Sequence, residues 1–446
     1  MRLSPPLAGN FLALLPAAAS AASVSPPPGP DAPAEPPSSF SLTAAKQPGR
    51  QGNFVRDWVS ARQKWGGAIP DLTAKAFSLL DDDGRVDVEP LGMDDIYIAD
   101  VEIGEPPQLL KIAIDTGSSD LWVQSTDTVY LYNDQGPWAP QYDPNKSSTA
   151  ERIADAIWRV RYMDGNAAEG IAYRDTLTLG PFRAPNATVQ SARRVAPRFE
   201  SEPRLTGMLG LAKTLPSTVR PPEAAFLPGH LAPLLGRPVF TADLRRDGTG
   251  RFDFGVVDPG RTRDGVTWVP TDGRSHHWDV AFDLVSWGTN TSAPSGGLGG
   301  GGGGGGGGSG GNGGTWWHHP FTATIDTGTT LMFLPDVLSG MYWYDIPGMR
   351  IDPRLADAYT FPCAFAKNLP DLRLKLPSTE HVLVVPGAYL NYGPTDAADE
   401  YCWGGMQSAA GMNVTILGDV MLKALFVAFD MESQMVGFAN KNKEDL

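Results

Sequence analysis

The sequence predicts an all-β protein built as two lobes, and three observations carry that expectation. Beyond Asp81 the chain is mostly short alternating runs, "YIADVEIG", "LKIAIDTG", "WRVRYMDG", "RDTLTLG", "RFDFGVVD" and "HVLVVPGAYL", punctuated by Gly, Pro, Asn and Asp turns, with few and short helical patterns. The length of 446 residues exceeds what one hydrophobic core usually fills. The chain also writes Asp-Thr-Gly twice behind β-branched residues, in "IAIDTGSSDLWV" from Ile112 and in "TATIDTGTTLMFL" from Thr322. One such tripeptide is ordinary turn chemistry. Two in matching surroundings indicate one structural unit made twice, each copy delivering one carboxylate.

In chain order, the N-terminal "MRLSPPLAGNFLALLPAAASAA" has one positive charge, an apolar stretch from Leu7 to Leu15 and small residues near Ala19 to Ala22, so residues 1–22 are expected to be a signal peptide. No other stretch has the 18 consecutive apolar residues of a membrane span. Residues 23–80 combine a Pro/Ser-rich linker (Ser25 to Ser39) with a segment carrying Lys46, Arg50, Arg56, Arg62, Lys64 and Lys75 against only Asp57 and Asp71. A basic segment ahead of an acidic body reads either as a prosegment docked electrostatically or as a solvated basic helix. The whole chain carries 36 basic and 50 acidic residues, a net charge of −14. That balance leaves no basic surface for a nucleic-acid partner, and it suits work in acid, where carboxylates are partly neutralised.

The N-terminal lobe is expected over 81–243 and the C-terminal lobe over 244–446, the latter interrupted by a nearly pure Gly insertion at about 296–314. Asp81-Asp82-Asp83-Gly84 lacks the ligand spacing of a calcium loop. His276-His277 and His318-His319 are adjacent pairs without zinc spacing and read as exposed loop histidines. No metal or cofactor is expected. Asn145, Asn186, Asn290 and Asn413 each open an Asn-x-Ser/Thr sequon; Asn413 precedes a core-like segment, which leaves the other three as the glycosylation candidates. Cys363 and Cys402 are one disulfide in a secreted chain or two thiols in the cytosol.

If each Asp-Thr-Gly ends a strand and turns at Gly117 or Gly328, Asp115 and Asp326 can face each other and share a proton. Like charges in contact split the two pKa values. The ionised member can then deprotonate a water while the neutral one protonates a carbonyl oxygen. Ser118 and Thr329 are placed to donate to the outer carboxylate oxygens, and Thr116 and Thr327 to brace each loop against the other.

These residues resemble the pepsin-like aspartic proteases, in particular the secreted fungal, penicillopepsin-like branch, over nearly all of Phe40 to Ala439. The resemblance implies a bilobal double-ψ β-barrel fold with an active-site cleft between the lobes. "AIDTGSSDLWV" is similar to the first active-site loop, with Trp122 beneath the flap; "YDPNKSST" is similar to a stretch upstream of it. "WRVRYMDGNAAEG" resembles the flap hairpin, making Tyr162 the flap tyrosine and Asp164 a substrate-touching tip residue. "TGMLGLA" and "TILGDVML" resemble the two hydrophobic-hydrophobic-Gly segments behind the active-site loops, and "LFVAFDMESQMVGFA" the family's tail. The resemblance further implies a Cys363–Cys402 disulfide and, through "ARQKWGG", an inhibitory prosegment lysine at Lys64. Three features depart from the pattern: Met163 replaces the usual flap Gly, Thr206 replaces Asp or Asn, and the Gly-rich insertion enlarges the second lobe. The implied activity is a secreted, monomeric, zymogen-type endopeptidase of an extracellular, vacuolar or other acidic setting. It would act on polypeptides between bulky apolar residues, with its own prosegment as intramolecular inhibitor. The alternative is a catalytically silent binding protein of the same family.

Overall fold

A computed structural model describes residues 39–45, 54–69, 97–131, 139–161, 167–196, 199, 205–246, 248–288, 316–352, 355, 358–395 and 400–442. The expected signal peptide, the Asp81–Gly84 loop, Asn290, the Gly-rich insertion and the flap residues Tyr162, Met163 and Asp164 lie outside them.

The protein is mostly β, as the alternating runs predict. A sheet of 13 strands, one of seven and one of four organise the described residues. Within the largest, six strands close into a barrel: Ile98–Ile103, Gln108–Asp115, Gly207–Gly210, Leu121–Gln124, Phe182–Arg194 and Ala167–Leu179, with Glu102 and Ile103 pairing back onto Thr178 and Leu177. Its buried face is supplied by the apolar positions of each run, among them Val101, Ile103, Leu110, Ile112, Leu177 and Leu209, all essentially inaccessible. The central strand Val239–Leu244 is buried at every position and pairs with Leu425–Asp430, so the expected lobe limit at 243 falls inside a strand shared with the C-terminal tail.

The two halves repeat one local topology. The strand Gln108–Asp115 runs parallel to Gly207–Gly210, which is antiparallel to Leu121–Gln124, which is parallel to Phe182–Arg194. In the second half, Trp316–Ile325 runs parallel to Thr415–Leu417, which is antiparallel to Met332–Leu334, which is parallel to Met406–Ser408. The hydrophobic-hydrophobic-Gly segments are thus the strands behind the two Asp-Thr-Gly turns. Their glycines are required by close approach: a Cβ on Gly210 would meet the Ser119 carbonyl carbon at 2.5 Å, and one on Gly418 the Thr329 carbonyl oxygen at 2.2 Å.

The basic segment is neither a solvated helix nor held by charge alone. Phe40–Ala45 is a strand paired with Thr249–Phe254 over six residues and with Ala99 and Ile98. The helix Phe54–Lys64 buries Phe54, Trp58, Val59 and Ala61 among Leu331, Phe333, Leu355, Ala358, Trp403 and Ile416. Phe54 stacks on Trp403 with ring centroids 4.3 Å apart. Burial of Phe54 and Trp58 contributes roughly 1.5–3 kcal/mol each, more than exposed ion pairs supply. Arg62 adds polar anchorage by donating to the Ala410 carbonyl at 2.9 Å and the Ser408 carbonyl at 3.2 Å. Its expected role as one positive charge among several is replaced by a fixed backbone contact.

Cys363 and Cys402 form a disulfide, with Cα atoms 5.0 Å apart and a sequence separation of 39. Closing that loop stabilises by about 4 kcal/mol in the chain-entropy picture. His318 and His319 lie on the strand Trp316–Ile325 rather than in a loop, and His318 contacts Asp283 at 2.9 Å. Asn145 and Asn186 are exposed, Asn186 on the strand Phe182–Arg194 and not in a loop; Asn413 is exposed too, because it sits in the bend before Thr415 and not in the core strand. No helix among the described residues is long and apolar enough to cross a membrane.

Candidate active site

The two Asp-Thr-Gly turns meet. Asp115 closes the strand Gln108–Asp115, and Asp326 follows Trp316–Ile325 immediately; both side chains are buried. The turns interlock through the threonines as expected. The Thr116 hydroxyl donates to the Ile325 carbonyl (2.8 Å) and accepts from the Thr327 N–H (3.0 Å). The Thr327 hydroxyl donates to the Ile114 carbonyl (2.8 Å) and accepts from the Thr116 N–H (3.1 Å). Four bonds between loops from opposite halves fix the separation of the carboxylates before any ligand arrives.

Each carboxylate is held the same way. The Gly117 N–H donates to Asp115 Oδ1 (2.8 Å) and the Ser118 hydroxyl to Asp115 Oδ2 (2.6 Å). The Gly328 N–H donates to Asp326 Oδ1 (3.0 Å), and the Thr329 hydroxyl donates to Asp326 Oδ2. The glycines were expected to supply backbone freedom, but neither has a positive φ. Their requirement is space: a Cβ on Gly117 would stand 2.4 Å from Asp326 Oδ1, and one on Gly328 2.3 Å from Asp115 Oδ1.

Lys64 enters this pair from the helix end, with Nζ 2.8 Å from Asp115 Oδ1 and 2.9 Å from both Asp326 oxygens. Burial pushes the Lys64 ammonium down, but Asp115 and Asp326 outweigh it and hold its pKa above the usual lysine value. Burial pushes Asp115 up, and against the pull of Lys64 the neighbouring Asp326 keeps it raised. Burial also acts on Asp326, yet Lys64, a hydrogen bond from Asp115 and the Thr329 hydroxyl overcome it and hold Asp326 below the ordinary carboxylate range. One member of the pair favours its proton and the other its charge.

Three site residues escaped the sequence reading. The Trp65 indole N–H lies 3.2 Å from Asp326 Oδ2 and 3.4 Å from the Thr329 hydroxyl; its adjacency to Lys64 was the available signal. Asp120 is buried behind the first turn, where its Oδ1 accepts from the Thr218 N–H (2.8 Å) and the Ser217 hydroxyl (3.2 Å), a contact nearly a hundred residues distant and so invisible in the sequence. His277, read as an exposed loop histidine, does lie in a bend, but it is half-buried and lines the cleft, next to the core residue Trp278 and just before the strand Asp279–Gly288. The cleft beside Asp115 is otherwise walled by Trp122, Val160, Phe199, Met208 and Leu215. Trp122 packs edge-on against Phe199 at 4.9 Å and alongside Trp158 at 6.2 Å.

A family model for eukaryotic aspartyl proteases matches residues 96–441. Endothiapepsin of Cryphonectria parasitica is 31% identical over 413 residues, covering 91% of both chains. Podosporapepsin of Podospora anserina is 31% identical over 392 residues, covering 85% of both. Penicillopepsin-1 of Penicillium rubens is 30% identical over 392 residues, covering 87% of this chain and 88% of its own. The expected resemblance therefore holds across the folded body: this chain belongs to the eukaryotic aspartyl protease family and is an aspartic-type endopeptidase.

Proposed function

We propose that this protein is a secreted, zymogen-type endopeptidase that hydrolyses peptide bonds between bulky apolar residues in acid, with Asp115 and Asp326 as the catalytic pair. The observation that carries the reading is the placement of Lys64 Nζ within 2.9 Å of both carboxylates, where a substrate-attacking water would otherwise be held. With Lys64 withdrawn, a water between the carboxylates loses a proton to the ionised Asp326 as it attacks the carbonyl carbon, and the protonated Asp115 donates to the carbonyl oxygen. The tetrahedral intermediate then collapses: Asp326 passes the water's proton to the amide nitrogen, the C–N bond breaks, and Asp115 takes back the hydroxyl proton as the new carboxyl group forms. The apolar wall formed by Trp122, Val160, Phe199, Met208 and Leu215 supports the preference for bulky apolar side chains.

Residues 1–22 act as the signal peptide, and the segment through residue 80 as linker and prosegment with Lys64 as its inhibitory residue. Asn145, Asn186 and Asn290 are proposed glycan sites, and the flap residues Tyr162, Met163 and Asp164 are proposed to cover the bound substrate; the mature protein is proposed to be a monomer.

Release of the prosegment is acid-triggered. Asp326 is held below the ordinary carboxylate value when Lys64 is docked. Its attraction for Lys64 is therefore complete above that ordinary value and fades as pH falls through the depressed one. The segment then leaves, against the apolar anchorage of Phe54 and Trp58, which does not titrate, and is cut between about Gly66 and Val88.

The test is cleavage of a denatured globular protein at low pH and its block by a statine-type inhibitor, with N-terminal sequencing of the secreted form. Absence of cleavage from correctly folded, processed protein would overturn the proposal. Full processing at neutral pH when a catalytic Asp is missing would assign maturation to an external protease.

A further inference from the structure

His277 stands in the cleft without a function in the reaction described above, and its setting is built. The His276 carbonyl accepts from the Thr214 N–H (3.0 Å), the His277 N–H donates to the Ser275 hydroxyl (3.0 Å), and the Trp278 indole donates to the Leu211 carbonyl (2.8 Å). The residues on either side of the imidazole are thus tied to the first half of the molecule, His276 through its carbonyl and Trp278 through its indole. The ring meets the Trp65 indole edge-on, with centroids 4.9 Å apart, while the same indole donates toward Asp326. Its Nδ1 is buried and has no hydrogen-bond partner among the described residues. An imidazole with a buried, unpartnered nitrogen, lining the same cleft as Asp115 and packed against a side chain of the segment proposed to be removed, is placed to meet whatever replaces that side chain.

We propose that His277 is a specificity-determining residue that selects substrates placing a carboxylate side chain where the Trp65 indole lies in the docked state. This rests on the reading of the protein as an acid endopeptidase whose prosegment leaves the cleft.

The groups facing His277 are Asp279, Lys64, Asp115 and His276. With the prosegment docked, burial holds its pKa below the usual imidazole value; Asp279 and Asp115 raise it, and Lys64 and His276 lower it. Departure of Trp65 and Lys64 removes a packed ring and one nearby cation, both of which oppose charge on the imidazole. Glu side chains ionise above about pH 4.3 and imidazoles charge below about 6.5. Between those limits the imidazolium and a substrate carboxylate attract each other; below them the substrate is neutral, and above them the imidazole is.

The measurement is kcat/KM of the mature enzyme for a fluorogenic peptide series around one apolar scissile pair, with Glu or Gln placed in turn at each flanking position. It is made between pH 3 and 6 for the parent, His277→Phe and His277→Gln. The expected result is one position at which the parent's Glu/Gln ratio is about three- to tenfold higher near pH 5 than near pH 3, with a flat ratio in both variants. Because the ratio is read within each protein, a general loss of activity in a variant does not obscure it. A flat ratio at every position in a parent that cleaves the series, or an unchanged pH-dependent ratio in the variants, overturns the assignment of His277 alone. No cleavage of any peptide overturns the endopeptidase reading beneath it.

Discussion

Around Asp115 and around Asp326 the donors are arranged alike: a glycine N–H on Oδ1, a hydroxyl three residues on at Oδ2, and an intervening threonine bonded across to the other turn. The charges are not alike, since Asp115 is pushed up and Asp326 held down. What differs between the turns is small. Lys64 reaches both oxygens of Asp326 but only Oδ1 of Asp115, and the second turn has Thr329 where the first has Ser118. A duplicated scaffold fixes where two carboxylates stand, and single unduplicated contacts decide which one keeps the proton.

The comparison breaks most completely at the carboxylates themselves. Asp115→Asn and Asp326→Asn should each lower kcat/KM by at least about 10²–10⁴-fold, equally despite their unequal pKa values, because both serve one shared-proton unit. Circular dichroism of each variant should be unchanged, and near-normal turnover by either would end the equivalence. Gly117→Ala and Gly328→Ala come next. Each places a methyl against the opposite carboxylate, and a displacement of that order should cost up to about 10²-fold in kcat, again similarly for the two turns.

Thr116→Val and Thr327→Val act on stability. Each leaves a buried N–H and a buried carbonyl unpaired, which should lower unfolding free energy by about 1–3 kcal/mol in urea titrations. The double variant should lose less than the sum, since the four bonds form one network. The smallest effect separates the turns. Thr329→Ala removes a donor from the charged form of Asp326 and should move the acidic limb of the pH profile up by about one unit. Ser118→Ala should move that limb less, because Asp115 works in its protonated form.

Most of this site was legible because its residues lie in short local patterns. Asp115, Ser118, Asp326 and Thr329 share two turns, and the repetition of those turns told that they pair. Lys64 was legible from "QKWGG" through resemblance. The docking of the preceding helix was read as electrostatic because charge can be counted along a sequence, whereas the stacking of Phe54 on Trp403 joins residues from opposite ends of the chain. Gly117 and Gly328 illustrate the same limit. A glycine in a turn suggests backbone freedom, and only the folded geometry shows the opposite carboxylate beside it. His277 is a loop residue, as read; its place in the cleft was not legible, because the Trp278 indole that anchors this bend bonds Leu211, 67 residues away.

A symmetric pair of turns holds an asymmetric pair of acids. In the proposed mature form the contact with Lys64, which lowers both members, is gone; burial and Asp326 then raise Asp115, while at Asp326 the hydrogen bonds from Asp115 and Thr329 oppose burial and favour the charge. The most direct measurement is kcat/KM of the mature enzyme against pH with a substrate lacking titratable side chains. The predicted profile is a bell whose two limbs belong to the pair, one below and one above the ordinary carboxylate value of about 4, with both limbs lost in Asp326→Asn. A profile with a single limb, or two limbs that persist when either Asp is replaced, would contradict the claim.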